Sequence, residues 1–315
     1  MLADYLRRFE RLRVARSRQH GEAPYKPALL LAVLEGVAEG SIEHNRIGIT
    51  PELVAAFTAI CTDLGTSRQF TANNFALPFF HLRGDGFWHL HPHPGQQFLL
   101  TASGSVRSFG HLRDTLAFAS LDPELWQLVA EPTSRAALRQ VLLARYFPQT
   151  QGRYRARAGQ LALADLRHQL LEEPAALYRT RLDLGNELDL VVRSSLFKRE
   201  VLAAYHHTCA VSGLRLVSTD ASPYPLLDAC HIVPWSVSHD DTIGNGLALC
   251  PNLHRAFDRH LFHITPDYRV HVADHFTEPS GADYGLRRFH GQPLRLPDRA
   301  AWWPDVGNLA RQRGE

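Results

Sequence analysis

At 315 residues, 45% of them hydrophobic, the chain is long enough to bury a sizeable core, and its length suggests two domains. A net charge of +2 does not by itself announce a nucleic-acid binder. Four cysteines (Cys61, Cys209, Cys230, Cys250) in so long a chain exclude a disulfide framework and leave reduced thiols or metal ligands. No uncharged apolar run reaches 18 residues and the first residues hold an acid and arginines instead of a signal peptide, so a cytoplasmic protein without membrane contact is expected.

In chain order, residues 2 to 18 have helical periodicity, and the stretch from Tyr5 to Arg18 carries six arginines against one glutamate. A second basic run, "GRYRARAGQ", has three arginines and no acid. Either run alone reads as a solvated face; the two together in a chain of near-balanced charge also admit phosphate contact. "KPALLLAVLEGVAEG" and "TPELVAAFTAICTDLG" read as helices, the second capped by Thr50 with Pro51 at its first position. "PFFHLRGDGFWHLHP" alternates around a Gly-Asp-Gly turn and reads as a β-hairpin. His89, His91 and His93 alternate beyond it, but the intervening prolines favour a solvated hairpin end over a metal site.

Residues 111 to 147 look helical, and "PQTQGRYRARAGQ" has a linker's composition. The expected fold is α+β: a winged-helix-like α+β domain over 1–150, a linker over 151–189, and a second domain over 190–315. That second domain opens with the helix "SLFKREVLAAYHH". "DACHIVP" then reads as a strand ending at His231, because Pro234 cannot continue a central ladder. "SVSHDDTIGNG" reads as a loop and "PNLHRAF" as a helix capped near Asn252, followed by a strand in "LFHITPDYRVHV" and a last helix in the tail. Strand, loop and helix bring His231, Asn245 and His254 together at spacings of 14 and 9 residues.

This arrangement resembles the ββα-metal (HNH) endonucleases, in the branch whose sequences look like "HIVPW…NGLALC…HRAFD", over residues 190 to 275. The resemblance implies that His231 is the general base for the attacking water, a task suited to imidazole near neutral pH. It also implies that His254 is a ligand of a divalent metal, Mn²⁺ or Mg²⁺ or else Co²⁺ or Ni²⁺, and that Asn245 holds the loop and helps orient the base. Cys230 stands where the family often has an aspartate. A thiol is a poor ligand for a hard ion, and Asp228, two residues earlier on the same strand face, ranks ahead of it. Asp258, one helical turn after His254, either orients that histidine or caps structure. Cys209 and Cys250 suggest the remnant of a zinc knuckle, but "CAVSG" lacks a second cysteine and core thiols fit better.

The first domain's "PYKPALLLAVLEG" and "FALPFFHLRGDGFWHL" resemble the sulfur-binding domain fused to HNH nucleases in type IV, modification-dependent restriction enzymes. The partner so implied is double-stranded DNA carrying a backbone phosphorothioate. A site preferring sulfur over oxygen needs an apolar cup and a basic rim. Pro78 matches the family's pocket proline, Leu77 and His81 the flanking lining positions, with leucine where the family favours tyrosine. Tyr25, Lys26 and Arg68 are candidates for the rim. Cutting both strands makes a homodimer the expected state. Two other readings stay open: an HNH enzyme directed by a methylated base or plain sequence, and a DNA reader whose HNH fold is silent.

Overall fold

The computed structural model describes residues 1–14, 16–17, 21–65, 74–102, 104–106, 108–215, 226–279 and 285–314. The chain forms two compact units: Met1–Ala164 with Asn186–Val192, and Asp165–Gly185 with Arg193–Glu315. All sheets among the described residues are two-stranded, which makes the architecture helix-rich α+β.

In the first unit, helix α1 (Leu2–Glu10) stops well short of residue 18, with Arg11 leaving the helical conformation. A two-residue ribbon follows, β1 (Arg16–Ser17) antiparallel to β2 (Gly21–Glu22). Helix α2 (Tyr25–Glu39) is mostly apolar and is buried from Lys26 to Gly36, the charged Lys26 and Glu35 included, as the central core helix. Helix α3 (Pro51–Leu64) starts as its caps dictate, Thr50 Oγ1 accepting from the Leu53 N–H at 3.2 Å.

The hairpin expected around residues 78–92 is not formed. "ALPFFH" is instead helix α4 (Ala76–His81), running into a 3-10 turn, Leu82–Asp85. Pro78 lies in the first turn of α4, where no intrahelical N–H is lost, so the residue that looked like a strand start is compatible with a helix. Strand β3 (Trp88–Pro92) pairs instead with β4 (Leu116–Leu121), from Trp88↔Leu121 to Pro92↔Leu116. β4 interrupts the long helix expected over 111–147, leaving α5 (Phe109–Thr115), α6 (Pro123–Ala130) and α7 (Pro132–Tyr146). "LAFASL" has little β-propensity of its own; its ladder to β3 and the reciprocal bonds of Ala119 with Ile47, both 2.7 Å, hold it extended. Phe57, Phe75, Phe79 and Trp88 pack edge to face or tilted under α4 and form the core there.

Residues 151–189, where a linker was expected, hold a 3-10 turn (Gln151–Arg153) and helices α8 (Ala158–Glu172) and α9 (Ala175–Thr180). Helix α10 (Glu187–Ala204) leads into the second unit. There β5 (Asp228–His231) is followed by a short helix α11 (Trp235–Ser238), a 3-10 turn (Ile243–Asn245), strand β6 (Gly246–Leu249) and helix α12 (Pro251–Asp258). β5 and β6 are antiparallel with His231 opposite Gly246, and with α12 they make a ββα unit. A second hairpin, β7 (Phe262–Ile264) with β8 (Val270–Val272), and helix α13 (Val306–Arg313) complete it. The tail lies back on this unit through Arg295 N–H to Ala210 O (2.9 Å) and Asp305 N–H to Gly244 O (2.8 Å). No helix among the described residues is long and apolar enough to cross a membrane.

Candidate functional site

His231 ends β5 and is about one-fifth exposed. Its Nε2 lies 2.9 Å from Asp241 Oδ1, and its ring lies flat on Phe197 of α10, centroids 4.0 Å apart and planes 7° from parallel. Asp241 is 2% exposed, and its Oδ2 accepts from the Tyr178 hydroxyl and the Trp235 indole N–H, both at 3.1 Å. Burial, and then the Asp241 charge, pushes the Tyr178 phenol up, so Tyr178 remains a donor. Gly246 has to be glycine for reasons of space. A Cβ there would lie 2.4 Å from Val201 Cγ2 and 3.2 Å from Phe197 Cε2, so its absence lets α10 approach the strand opposite His231.

Asn245 is fully buried and ties the loop between β5 and β6 into one piece. Its Oδ1 accepts from Val233 N–H (2.9 Å), and its Nδ2 donates to Val233 O (3.1 Å) and Asp240 O (2.9 Å). Its partners among the described residues are backbone groups and Ser238, not His231; contact with the base is made by Asp241.

On α12, His254 is gripped at both nitrogens, Nδ1 lying 3.1 Å from Asp228 Oδ2 and Nε2 3.5 Å from Asp258 Oδ2. Ligand atoms of Cys230, His254 and Asp258 all lie within 4.8 Å of one another. Cys230 is fully buried; desolvation, followed by the nearby Asp258 and Asp228 charges, pushes its thiol well above the ordinary range. His254, Asp258 and Cys230 together could hold a metal ion, the carboxylate and imidazole suiting a harder ion than the thiol does. Elsewhere in this unit Cys209 and Cys250 form no disulfide, and a hydrogen bond from Cys250 lowers the Cys209 thiol.

In the first unit, Tyr25, Lys26, Leu77, Pro78 and His81 line one cavity of about 690 Å³, with Arg13, Val14, Ala23, Asn74, Gly84 and Ser105. The helical spacing of 77 and 81 puts both on one side of α4, while Phe79 and Phe80 point into the core with no exposure. His81 Nε2 lies 2.9 Å from Ser105 Oγ, and burial, then the charges of Lys26 and Arg83, lower its affinity for a proton. Lys26 differs from a free rim cation. Its Nζ donates to Asp85 Oδ2 at 2.6 Å, with both side chains at or below 10% exposure, while Asp85 Oδ1 accepts from the Arg13 backbone N–H at 2.8 Å. Arg68 lies outside the described residues.

The sequence reading missed Asp241, Tyr178, Phe197 and Arg13. Arg13 was visible within the first basic run. The other three carry no local signal, since Tyr178 meets Asp241 across 63 residues and Phe197 is one more apolar residue on a helix. Of the alternating histidines, His89 binds Asp122 (2.7 Å) and His91 binds Ser120 (2.8 Å), an ordinary edge of the β3–β4 pair.

Residues 2–154 match the family model of the ScoMcrA-like DNA sulfur-binding domain, and residues 209–265 match that of an HNH endonuclease family. No curated protein matches the chain. Among solved structures the chain is similar to the modification dependent TagI restriction endonuclease, at 28% identity and a TM-score of 0.28, covering 39% of this chain and 38% of that one. It is also similar to the sulfur binding domain of ScoMcrA complexed with phosphorothioated DNA, at 23% identity and a TM-score of 0.37 over 46% of this chain and 87% of that one. A third similarity is to the type IV phosphorothioation-dependent restriction endonuclease ScoMcrA, at 14% identity and a TM-score of 0.36 over 80% and 94%. The chain spans 38% of the length of the TagI protein it matches. The chain thus carries a region similar to the ScoMcrA-like DNA sulfur-binding domain, followed by a region similar to an HNH endonuclease family.

Proposed function

We propose that this protein is a modification-dependent restriction endonuclease that binds duplex DNA at a backbone phosphorothioate through its first domain and hydrolyses phosphodiester bonds with its HNH domain. The observation that carries this reading is the occurrence, within the two family-matched regions of one chain, of a cavity lined by Pro78 and Leu77 and of an imidazole, His231, that directly follows Cys230 of the Cys230–His254–Asp258 cluster.

Sulfur in place of a non-bridging phosphate oxygen is larger, more polarizable and less hydrated, so an apolar wall discriminates in its favour. Leu77, Pro78 and Val14 supply that wall; Arg13 and the Tyr25 hydroxyl supply polar edges for the remaining phosphate charge. In the HNH domain His231 takes a proton from the attacking water. His254 and Asp258 would hold a divalent ion, with Asp228 on the Nδ1 side of His254 orienting the ring. When bound, such an ion supplies stabilisation of charge on the phosphate oxygens. Two such chains as a homodimer would cut both strands.

The test is cleavage of phosphorothioate-bearing plasmid in Mn²⁺ or Mg²⁺, with and without chelator, by the wild-type protein, His231→Ala and His254→Ala. Cleavage lost with either substitution or with chelator supports the reading. Undiminished cleavage by His231→Ala would refute it.

A further inference from the structure

We propose that Asp241 is the positioning residue for His231: held by Tyr178 and Trp235, it selects the tautomer in which Nε2 carries the hydrogen and Nδ1 presents its lone pair to the attacking water. The inference rests on the nuclease reading and deepens it.

The hydrogen-bond inventory leaves little freedom. A carboxylate only accepts. Oδ2 of Asp241 is taken by two obligate donors in this setting, the indole N–H of Trp235 and the hydroxyl of Tyr178. Oδ1 faces Nε2 of His231 at 2.9 Å, and for that contact to be a hydrogen bond Nε2 must donate. With Nε2 protonated, neutral imidazole has its lone pair on Nδ1, and only that nitrogen can accept a proton from water.

The ring cannot easily turn away. Phe197 stacks on one face at 4.0 Å, so a ring swung out of this plane would lose that contact, and a half-turn within the plane would lose the partner on Asp241. Asp241 is itself held at both oxygens: at 2% exposure its charge is tolerable because each is satisfied. Behind it, Arg193, 4% exposed, lies 5.1 Å from the Tyr178 ring and donates to Gln169 at 3.1 Å, so a buried cation backs the phenol.

Two anchors of this arrangement, Tyr178 on α9 and Phe197 on α10, fall outside residues 209–265, the stretch matched by the HNH family. The segment 165–185 belongs to the same compact unit as β5 and α12. Its part in the reaction is to fix the geometry of the base. Asn245, which the motif alone suggests for this task, is committed to Val233 and Asp240.

The experiment uses the full chain with ¹⁵N-labelled histidine. A His231→Gln difference spectrum identifies the His231 signals among the 18 histidines, and long-range ¹H–¹⁵N correlation reads the tautomer without DNA. The wild type is expected to show hydrogen on Nε2. Asp241→Asn is expected to lose that preference and to slow single-turnover cleavage roughly 100-fold or more, with affinity for DNA within about twofold of wild type. Tyr178→Phe, which removes one anchor and no volume, should slow cleavage about tenfold. Hydrogen on Nδ1 in the wild type overturns the proposal, a readout that needs no variant to fold. Wild-type cleavage by Asp241→Asn, or slowed cleavage with the tautomer unchanged, overturns it as well. A wild type with hydrogen on Nε2 that cuts no duplex overturns the nuclease reading and with it the catalytic meaning of the pair, and the spectrum separates that failure from the others.

Discussion

Phe197 lies against the imidazole of His231, centroids 4.0 Å apart and planes 7° from parallel, so the flank of α10 forms one wall of the candidate active site. Stacking restrains the ring without hydrogen bonds and excludes water from that face. Phe197→Leu keeps an apolar side chain of similar volume and should cost under about 1.5 kcal/mol in stability. Cleavage should nonetheless fall about tenfold with DNA affinity unchanged, because leucine offers no flat surface. Urea unfolding beside single-turnover rates separates the two effects; an unchanged rate would show that the stack is packing alone.

Gly246 makes that wall possible, and its replacement is a sharp test of the helix–strand approach. The 2.4 Å contact that a Cβ would make with Val201 forces α10 or β6 to move. Gly246→Ala should destabilise the second unit by roughly 1–3 kcal/mol. Adding Val201→Ala should recover much of the loss, a coupling that a double-mutant cycle in guanidinium measures. Additive losses would mean that the clash is relieved elsewhere.

Lys26, which lines the cup, forms a buried ion pair with Asp85, 2.6 Å apart. Removing one partner strands the other charge, so Asp85→Ala should cost about 3–5 kcal/mol and melt the first unit early. Lys26→Met with Asp85→Leu should restore most of the stability, since a well-packed apolar pair replaces a buried ionic one at little cost. Calorimetry of the three proteins decides; equal melting of wild type and Asp85→Ala would show that Lys26 reaches solvent.

Glu35, 5% exposed in the middle of α2, leaves Oε1 without a protein partner among the described residues, and burial raises its carboxyl from 4.5 to about 7. The folded protein therefore binds this proton more tightly than the unfolded chain. Its contribution to stability is complete below about pH 4.5 and is lost as the pH rises through about 7. Glu35→Gln removes the titration, so the variant should match the wild type near pH 4.5 and exceed it by up to about 3 kcal/mol above neutrality. Parallel pH dependences from pH 4.5 to 8 would contradict this.

The order of strand, loop and helix around His231 was legible because β-branched residues, Pro234 and the start of α12 mark its boundaries within one short stretch. The α4 segment was misread because "FFHLRGDGFWHL" satisfies period two while residues 77 and 81 satisfy a helix. Only the burial of Phe79 and Phe80 together, which a strand would place on opposite faces, decides between them. β4 was hidden for the complementary reason, its extended form depending on partners at 47 and 88–92. Asp241 and its neighbour Asp240 are indistinguishable in the sequence. One turns to Thr242 and the other to His231, and a tyrosine 63 residues earlier makes the second arrangement stable.

The most direct measurement of the central claim compares two duplexes identical but for one phosphorothioate of defined stereochemistry, incubated with the protein and Mn²⁺ or Mg²⁺, with Pro78→Ala and His231→Ala alongside. Only the sulfur-bearing duplex should be bound and cut. Pro78→Ala should weaken its binding about tenfold, the worth of roughly 1.4 kcal/mol of lost apolar contact, and His231→Ala should bind it normally without cutting. Equal binding and cutting of both duplexes would contradict the account, leaving an HNH nuclease whose first domain reads something other than sulfur.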